Sequence, residues 1–402
     1  MKRKRLFGLR FTVFILVLAV CATGFIWAND AEYFVNTTIF GNTRTTTDTD
    51  NVINFDGGMS IHFIDVGQGD AAVIQFANGQ TMMIDAGDNR RTQPRINISN
   101  YLQTHIFPGN TPNIIDYFIA THSHADHIGA ANYLFDNYYI GHIVRPLSFH
   151  PNEIAANIPE TFGLTAPFVV HDTVTLRTFG ERSRAHISHD GTPATVSVPY
   201  VGKIITIGDA VVEFFSPTTH RYTAAGINQL STIFTVTFAG RTVMFTGDAY
   251  VENELRVLDT LPTNIDVLDV GHHGSTTSTS YQFLRRINPT YAIIQVGAGP
   301  STGNTYGHPH NAVINRLNDL DINILMTSEL GDILVQISLA GDLAVAGMVS
   351  TSDVFWVYYW MMAAVTAVIF FIILFTVDFL PSKNTNTRNN GRNNNRNNQR
   401  RR

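Results

Sequence analysis

The amino-acid sequence predicts an α/β fold in which a pair of β-sheets is covered by helices. Short apolar segments alternate with helical ones between residues 59 and 346, which is typical of mixed α/β structure. Many of the strand segments are apolar on both faces, which indicates strands that are covered on both sides. Histidines and aspartates follow directly after several of these segments. Because α/β folds carry their sites at strand ends, the pattern also indicates where a site would lie.

The individual elements follow from residue type and spacing. Apolar, β-branched and aromatic runs predict strands at MSIHFIDV, AAVIQF, TMMID, IDYFIAT, KIITI, VVEFFS, STIFTVTF, RTVMFTG, IDVLDV, YAIIQV and INILM. Apolar residues at helical spacing predict helices at NYLQTHI, DHIGAANYLFDN, VENELRVLD, SYQFLRRI and NAVINRLND.

Charge is distributed unevenly along the chain. Five basic residues precede residue 11 and seven follow residue 377, whereas residues 11–377 hold 15 Lys and Arg against 31 Asp and Glu. A surface this acidic repels polyanions unless metal ions or a local basic patch offset it. The one cysteine, Cys21, lies in an apolar run, so the chain can form neither an internal disulfide nor a thiolate metal cluster.

Two apolar segments flank the α/β region. Residues 1–30 contain a short apolar run behind MKRKR and are predicted to be a signal peptide or an N-terminal membrane anchor. Residues 31–58 are predicted to be a linker because they include a Thr-, Asn- and Asp-rich stretch. Residues 354–377 carry no charge over 24 positions, which predicts a transmembrane helix. Residues 378–402 are Asn- and Arg-rich and are predicted to be a disordered basic tail.

The basic ends also predict an orientation. Positively charged segments next to membrane spans stay in the cytoplasm. We therefore expect a protein of the cell membrane with both basic termini in the cytoplasm and the acidic domain, residues 59–346, outside.

The segment HSHADH, residues 122–127, is the clearest candidate for a metal site. It follows the apolar strand IDYFIA and opens a helix. His122 and His124 are two residues apart, so an extended backbone can direct both to one ion. Asp126 and His127 lie at the helix start and can serve a second ion nearby. Imidazole and carboxylate ligands suit Zn²⁺, Mn²⁺ or Fe, and the strand-before, helix-after context favours a metal site over a His-rich surface loop.

Two later segments offer further ligands at strand ends. Asp248 ends the apolar strand RTVMF, and a carboxylate there could bridge two cations. His272 and His273 follow the strand IDVLDV. Each segment alone could be a capping aspartate or a surface histidine pair, but together they place every candidate ligand at the end of a strand.

These motifs resemble those of the metallo-β-lactamase superfamily. HSHADH resembles the HxHxDH signature, and IDAG, which contains Asp85, resembles the first motif. Asp248 resembles the bridging aspartate, and the pair His272 and His273 resembles the last histidine. The segments FIDVGQGDA, HHGS and YGHP, with residues 228–234 before FTGDA, resemble the corresponding domain of competence-type DNA-uptake (ComEC-like) proteins. The resemblance covers residues 59–339 and implies an αββα sandwich, here flanked by N- and C-terminal membrane segments.

The resemblance implies two divalent metal ions, Zn or Mn, which would lower the pKa of a shared water and stabilise the attacking and leaving oxygens. His122 and His124 would hold the first ion. Asp126 and His127 would hold the second, and Asp126 would also orient the attacking hydroxide.

The remaining roles follow from the same resemblance. Asp248 would bridge the two ions, and either His272 or His273 would complete the site of the second. His308, in YGHP, would contact the leaving oxygen or a phosphate, or else stabilise its own loop.

Three aspartates are expected to support the ligands without binding the ions: Asp65, Asp70 and Asp85. Asp70 ends the segment GQGD, which is either a tight turn or a loop whose backbone approaches the metal site.

One expected ligand has no clear counterpart. The superfamily places a histidine between the positions of His127 and Asp248. The histidines in this interval lie at no convincing strand end: His142, His150, His171, His186, His189 and His220. The first metal position is therefore expected to be incomplete or to use another donor.

Three functions remain open on the sequence alone. The first is a phosphodiesterase, including a nuclease that acts outside the cell, although the acidic charge does not favour nucleic acid as a partner. The second is a hydrolase of wall polymers, choline-type esters or small molecules, since fold does not decide substrate. The third is a noncatalytic surface protein with a decayed metal site. Metal content would separate the third from the other two.

Overall fold

Two sheets stacked face to face form the core of the molecule in a computed structural model. The structure describes residues 57–109, 111–165, 168–217, 226–348 and 365–366. Residues 57–348 lie within one unit, Asn42–Ser350. The strands are β1 (Met59–Phe63), β2 (Ala72–Gln75), β3 (Thr81–Ile84), β4 (Ile114–Ile119), β5 (Tyr139–Val144), β6 (Ser148–Phe149), β7 (Val169–Val170), β8 (Thr195–Ser197), β9 (Ile204–Ile207), β10 (Ala210–Phe214), β11 (Phe234–Phe238), β12 (Arg241–Phe245), β13 (Val267–Asp269), β14 (Tyr291–Ile294), β15 (Asn323–Met326), β16 (Asp332–Ile337) and β17 (Leu343–Met348).

Helices connect and cover these strands. They are α1 (Thr92–Tyr101), α2 (Ala125–Ile128), α3 (Ala131–Asn137), α4 (Pro151–Ala155), α5 (Ile158–Thr161), α6 (Val174–Ala185), α7 (Val251–Val257), α8 (Tyr281–Ile287), α9 (Asn311–Asp319) and α10 (Thr327–Leu330). A π-helical turn, Leu102–Ile106, continues α1, and short 3₁₀ turns occur at Asn228–Leu230, Leu258–Thr260, Gly271–Gly274 and Pro300–Thr302.

Each large sheet has an antiparallel half and a parallel half. The first sheet runs β17-β16-β1-β2-β3-β4-β5-β8, and its strands from β3 to β8 are parallel. The second runs β15-β14-β13-β12-β11-β10-β9, and its strands from β12 to β15 are parallel. Parallel neighbours require crossover connections, and these contain the helices α1, α3, α6, α7, α8 and α9.

Buried side chains fill three layers of core. One layer lies between the sheets and includes Phe63, Phe234 and Phe245, whose rings stack. A second packs the first sheet against α1, α3 and α6, and a third packs the second sheet against α7, α8 and α9. Strands inside such an αββα sandwich are covered on both faces, which explains their apolar sequences. The predicted pair of helix-covered sheets is confirmed.

Several elements were missed or given wrong bounds. The single helix predicted over DHIGAANYLFDN is wrong, because it is split into α2 and α3 around Gly129. A Cβ on Gly129 would lie 2.5 Å from the backbone nitrogen of Asn89, so two backbone segments meet there. The strand β5 and the helix α6 were not predicted, since Gly141 interrupts the apolar pattern of the first and Gly180 that of the second. The last strand, β17, runs to Met348, two residues past the predicted domain end.

The predicted membrane segments fall where the structure gives no description. No helix within the described residues is long and apolar enough to cross a membrane. Residues 1–30, nearly all of the linker, and residues 354–402 lie outside the described residues, apart from Val365 and Thr366.

Candidate metal centre

The candidate metal centre lies where the parallel strands of both sheets end. Asp85 follows β3 and His122 follows β4 in the first sheet, whereas Asp248 follows β12 and His272 and His273 follow β13 in the second. Because parallel strands of one sheet end at the same edge, residues far apart in the chain meet there.

Asp85 holds the loop that carries HSHADH. Its fully buried carboxylate accepts hydrogen bonds from the backbone N–H and the hydroxyl of Thr121, at 2.7 and 2.6 Å. The same carboxylate lies 2.8 Å from Nδ1 of His127. When Nδ1–H is donated to Asp85, Nε2 of His127 keeps its lone pair for the centre. Asp85 therefore sets the orientation and the tautomer of this imidazole.

The GQGD turn packs directly on the same loop. The backbone N–H of Asp70 donates to the carbonyl of Asp126 at 3.1 Å, and that of Gln68 donates to Thr302 at 3.0 Å. Gly69 has a φ of +139°, and a Cβ there would lie 2.5 Å from the Asp126 carbonyl oxygen. Only glycine allows so close an approach. The segment is therefore a turn that also lines the centre.

Asp248 lies between four imidazoles, and each of its oxygens faces a different pair. Oδ1 lies 3.2 Å from Nε2 of His127 and 3.7 Å from Nε2 of His273. Oδ2 lies 3.4 Å from Nε2 of His122 and 3.5 Å from Nε2 of His272. The backbone N–H of Asp248 donates to the hydroxyl of Ser231.

Two groups of potential ligands share this aspartate. His122, His124 and Asp248 offer atoms within 4.8 Å of one another, and Nε2 of His122 lies 3.0 Å from Nδ1 of His124. The second group, with the same spacing, consists of Asp70, His127, Asp248 and His273.

Two carboxylates approach the second group from opposite sides. Oδ2 of Asp126 lies 3.6 Å from Nε2 of His273, on the side that faces Asp248. Asp70 instead faces ring nitrogens on the far side, with its oxygens 3.1 Å from Nδ1 of His273 and 3.7 Å from Nδ1 of His127. Asp126 is thus on the same side as Asp248, whereas Asp70, which also offers an oxygen within 4.8 Å of the other potential ligands, contacts the imidazoles from behind.

Burial favours the neutral form of the imidazoles of the first group and of the neighbouring His272. Burial lowers the pKa of His122, and the neighbouring His127 lowers it further. Burial and His122 together lower the pKa of His124 to about 3. Burial also lowers the pKa of His272. Neutral imidazole is the form that binds a metal ion.

In the second group, nearby carboxylates have the larger effect on the pKa of the imidazoles. Burial alone lowers the pKa of His127 and His273, but Asp248 and Asp70 outweigh it and raise both well above the usual value. Conversely, burial raises the pKa of Asp248, but the imidazoles outweigh it and hold it well below the usual value. This cluster of buried carboxylates requires positive charge close by.

The residues fit divalent cations. Nε2 of His127, Nε2 of His273 and Oδ1 of Asp248 are buried and have no hydrogen-bond partner among the described residues. Donors about 2.0–2.1 Å from a tetrahedral zinc ion lie roughly 3.3 Å from each other, close to the observed separations. A metal ion would satisfy these atoms, whose desolvation otherwise costs free energy. We conclude that this is a candidate Asp/His metal site.

His308 lies beside the centre, on the YGHP loop. Its ring is 5.5 Å from that of His272 and 6.2 Å from that of His273. Asn304 holds this loop by accepting from the backbone N–H of His308 at 3.1 Å. A Cβ on Gly274 would lie 2.5 Å from Cβ of Pro309, so the HHGS and YGHP loops pack tightly together.

Asp65, unlike the other two supporting aspartates, does not contact the imidazoles of the centre. It accepts a hydrogen bond from the backbone N–H of Gly67 at 2.9 Å, and its own N–H donates to Asp332 at 2.7 Å. Asp65 therefore shapes the start of the GQGD turn, whereas Asp70 and Asp85 contact imidazoles directly.

Three of the histidines between His127 and Asp248 bond to groups outside the centre. Nε2 of His142 lies 2.8 Å from Ser197, that of His150 lies 2.9 Å from Asp172, and that of His186 accepts from the backbone of Ile140. None of the described histidines of this interval belongs to either ligand group. His220 lies outside the described residues.

Sequence reasoning missed several residues that support the site: Thr121, Asp269, Thr277 and Gln295. Thr121 immediately precedes the first histidine, and its hydroxyl bonds Asp85. The backbone carbonyl of Gln295 lies 3.0 Å from Nδ1 of His273, and its side-chain amide donates to the buried Asp269 at 3.2 Å. Polar residues at the ends of apolar strands were the signal that could have found Asp269 and Gln295.

Comparisons with known proteins agree with this geometry. The family model described as the metallo-beta-lactamase superfamily matches residues 64–297. The chain is 26% identical over 305 residues to ComE operon protein 3 of Bacillus subtilis, covering 73% of this chain and 35% of that protein. It is 27% identical over 274 residues to recombination protein 2 of Haemophilus influenzae, covering 68% of this chain and 28% of that protein. The chain thus spans about a third or less of the length of these curated relatives.

The likeness to solved structures is weaker. The metallo-beta-lactamase fold protein YhfI from Bacillus subtilis aligns with a TM-score of 0.40 and 11% identity, covering 72% of this chain and 100% of that one.

Proposed function

The chain belongs to the metallo-β-lactamase superfamily, and from that membership we propose that its Asp/His site is the two-ion centre of a phosphodiesterase anchored at the outer face of the cell membrane. The fold and the candidate site are those of a metal-dependent hydrolase. We propose in addition that the site binds two ions, that the substrate is a phosphodiester and that the domain lies outside the cell.

The observation that carries the two-ion proposal is the position of Asp248. Its two oxygens face two different pairs of imidazoles at 3.2–3.7 Å. A carboxylate shared in this way can bridge two cations. His122 and His124 would hold one ion, and Asp126, His127 and His273 would hold the other. When bound, such ions lower the pKa of a water and neutralise charge on a phosphoryl group.

The chain's own residues would orient the reactants. Asp126 has its side chain 18% exposed at the opening of the centre, so its carboxylate can accept a proton from an attacking water. His308 lies on the neighbouring loop, where its buried Nδ1 has no partner among the described residues. It can donate a hydrogen bond to a phosphate or to the leaving oxygen.

Two observations favour a phosphodiester of limited length. The curated relatives are a ComE operon protein and a recombination protein. Diester linkages join the nucleotides of the DNA on which recombination acts. The second observation is that arginines near the opening already form hydrogen bonds or ion pairs within the protein. Arg90 pairs with Asp88 at 2.7 Å, and Arg91 donates to the carbonyls of Pro300 and Ser301. Few free cations remain to follow a long polyanion.

A hydrolysis screen tests this proposal. The full chain, purified in detergent and loaded with Mn²⁺ or Zn²⁺, is offered bis-nitrophenyl phosphate, a single-stranded oligonucleotide, a phosphorylcholine ester and a β-lactam. We expect turnover of bis-nitrophenyl phosphate with little dependence on salt. Activity on the lactam or on a carboxylic ester, with none on any diester, would overturn the phosphodiesterase assignment.

The variant Asp248→Asn tests the two-ion centre directly. A neutral amide cannot balance two cations, so we expect hydrolysis to fall by orders of magnitude while circular dichroism shows a retained fold. Wild-type turnover by the folded variant would overturn the two-ion centre.

A further inference from the structure

We propose that His272 supplies the missing donor of the first metal position, in place of a histidine from the interval between His127 and Asp248. This inference rests on the proposed two-ion centre. It also separates the roles of His272 and His273, which the sequence left open.

The contacts of Asp248 assign the two histidines to different positions. Nε2 of His272 lies 3.5 Å from Oδ2, the oxygen that also faces His122 at 3.4 Å. Nε2 of His273 faces Oδ1 and Asp126, together with His127. A third imidazole therefore stands on the side of Asp248 where the first group has only two, although it lies outside the 4.8 Å spacing that joins His122, His124 and Asp248.

The backbone explains why adjacent residues reach different positions. His272 and His273 both have left-handed conformations, with φ of +53° and +51°. Non-glycine residues rarely adopt this conformation, and two in succession require support from the surroundings. The N–H of His272 donates to the carbonyl of Gly247 at 3.0 Å, and its carbonyl accepts from Ser275 at 2.8 Å. The strained turn is thus tied to the residue directly before Asp248.

Thr277 prepares the His272 ring as a ligand. Its hydroxyl oxygen lies 2.7 Å from Nδ1 of His272, while the hydroxyl can donate to Ser275 at 3.1 Å. Nδ1 then carries the proton and donates it to Thr277, so Nε2 has a free lone pair. The carboxamide nitrogen of Asn228 lies 3.4 Å from Nε2 and can donate a long hydrogen bond to this lone pair, which a bound ion would replace. This is the arrangement that a ligating histidine shows, with its second nitrogen held by a neighbour.

Metal binding by the full chain tests the assignment. Equilibrium dialysis against Zn²⁺ with elemental analysis gives the number of ions and their affinities, and Co²⁺ loading gives a visible absorption spectrum for each position. The variants are His272→Asn, chosen because asparagine tolerates the left-handed backbone, and Thr277→Val, which removes the partner of Nδ1. His189→Ala, which removes an exposed imidazole outside the centre, is the matched control.

We expect two ions in the wild type and in His189→Ala. In His272→Asn, one ion should remain tight, the other should bind at least ~10-fold more weakly, and the Co²⁺ spectrum of that position should change. Thr277→Val should weaken the same ion by about 10–100-fold.

The outcomes separate the two proposals. If His272→Asn and Thr277→Val bind two ions with wild-type affinity and spectrum, the role of His272 is overturned while the two-ion centre stands. If the wild type itself binds fewer than two ions, the two-ion centre is overturned, and the role of His272 with it.

Discussion

Asp85 acts on the metal centre through His127. It is fully buried, and it bonds Nδ1 of the imidazole whose Nε2 faces Asp248. Partners of this kind orient a ligand and raise its basicity, so their loss weakens metal binding without removing a ligand.

Replacing Asp85 by asparagine should therefore weaken one metal position. The amide oxygen can still accept from Thr121, but the amide nitrogen would favour the wrong tautomer of His127. We expect an affinity loss of about 10–100-fold, measured by competition with a chelator. Asp116→Asn is the control, because Asp116 also accepts a backbone N–H, from Thr81 at 2.8 Å, in another part of the sheet. Equal losses in both variants would contradict the role of Asp85.

The ionisation of Asp332 is coupled to folding. Burial raises its pKa to about 6, although the backbone N–H of Asp65 lowers it in part. The folded protein therefore binds a proton more tightly than the unfolded chain. Stability contributed by this group is present below the unfolded pKa of 3.8 and is lost as the pH rises through about 6.

Asp332→Asn should accordingly stabilise the protein at neutral pH. The amide oxygen can keep the bond from Asp65 and carries no charge. Allowing for partial exposure, we expect a gain of about 1–2 kcal/mol at pH 7.5. The gain should vanish below pH 3.8. Urea unfolding of both proteins without metal, at pH values between these limits, measures the difference. A gain that does not vary with pH would refute the raised pKa.

At the scale of elements, the GQGD turn connects β1 to both halves of the site. It bonds the HSHADH loop through Asp70 and the loop before YGHP through Gln68. Since Gly69 touches the Asp126 carbonyl, the exact path of this turn affects a candidate ligand.

Gly69→Ala should therefore damage both stability and metal binding. The added Cβ must displace the backbone of Asp126, and we expect a loss of about 3 kcal/mol or more in the free energy of unfolding. Gly79→Ala is the matched control, because Gly79 also has a positive φ, +85°, but has open space around it. It should cost only about 1 kcal/mol and leave metal affinity unchanged. Similar effects of the two substitutions would show that the close contact is unimportant.

Two of the elements that were not predicted, β5 and α6, share a physical cause. The strand β5 includes Gly141, which packs against Asp116 of β4, and the helix α6 includes Gly180, beside which the buried Glu153 lies. Glu153 bonds the fully buried Arg145. Local propensity argues against a strand or a helix at these glycines, but tertiary contacts that only glycine allows outweigh that propensity.

At the scale of the whole molecule, charge predicts the orientation in the membrane. The two ends of the chain are basic, whereas the region between the apolar segments is acidic. We propose that residues 354–377 span the bilayer and that the hydrolase domain lies outside.

Protease treatment of intact cells tests this orientation. We expect the domain to be cleaved and a C-terminal tag to be spared, because the tag would lie in the cytoplasm. Lysed cells, in which the tag should also be lost, are the control. A domain that resists protease in intact cells but not in lysed ones would reverse the proposed topology.

The sequence by itself determined the fold class, the family resemblance and the types of ligand. These depend on short-range patterns: apolar runs define strands, and HSHADH places four potential ligands within six residues. Only the tertiary structure decided which imidazole faces which oxygen of Asp248, and that Asp85 and Asp70 support His127. These contacts join residues 24 to 126 positions apart, brought together where parallel strands end. Local pattern carries no information on such contacts, because strand order and register arise from packing between distant segments.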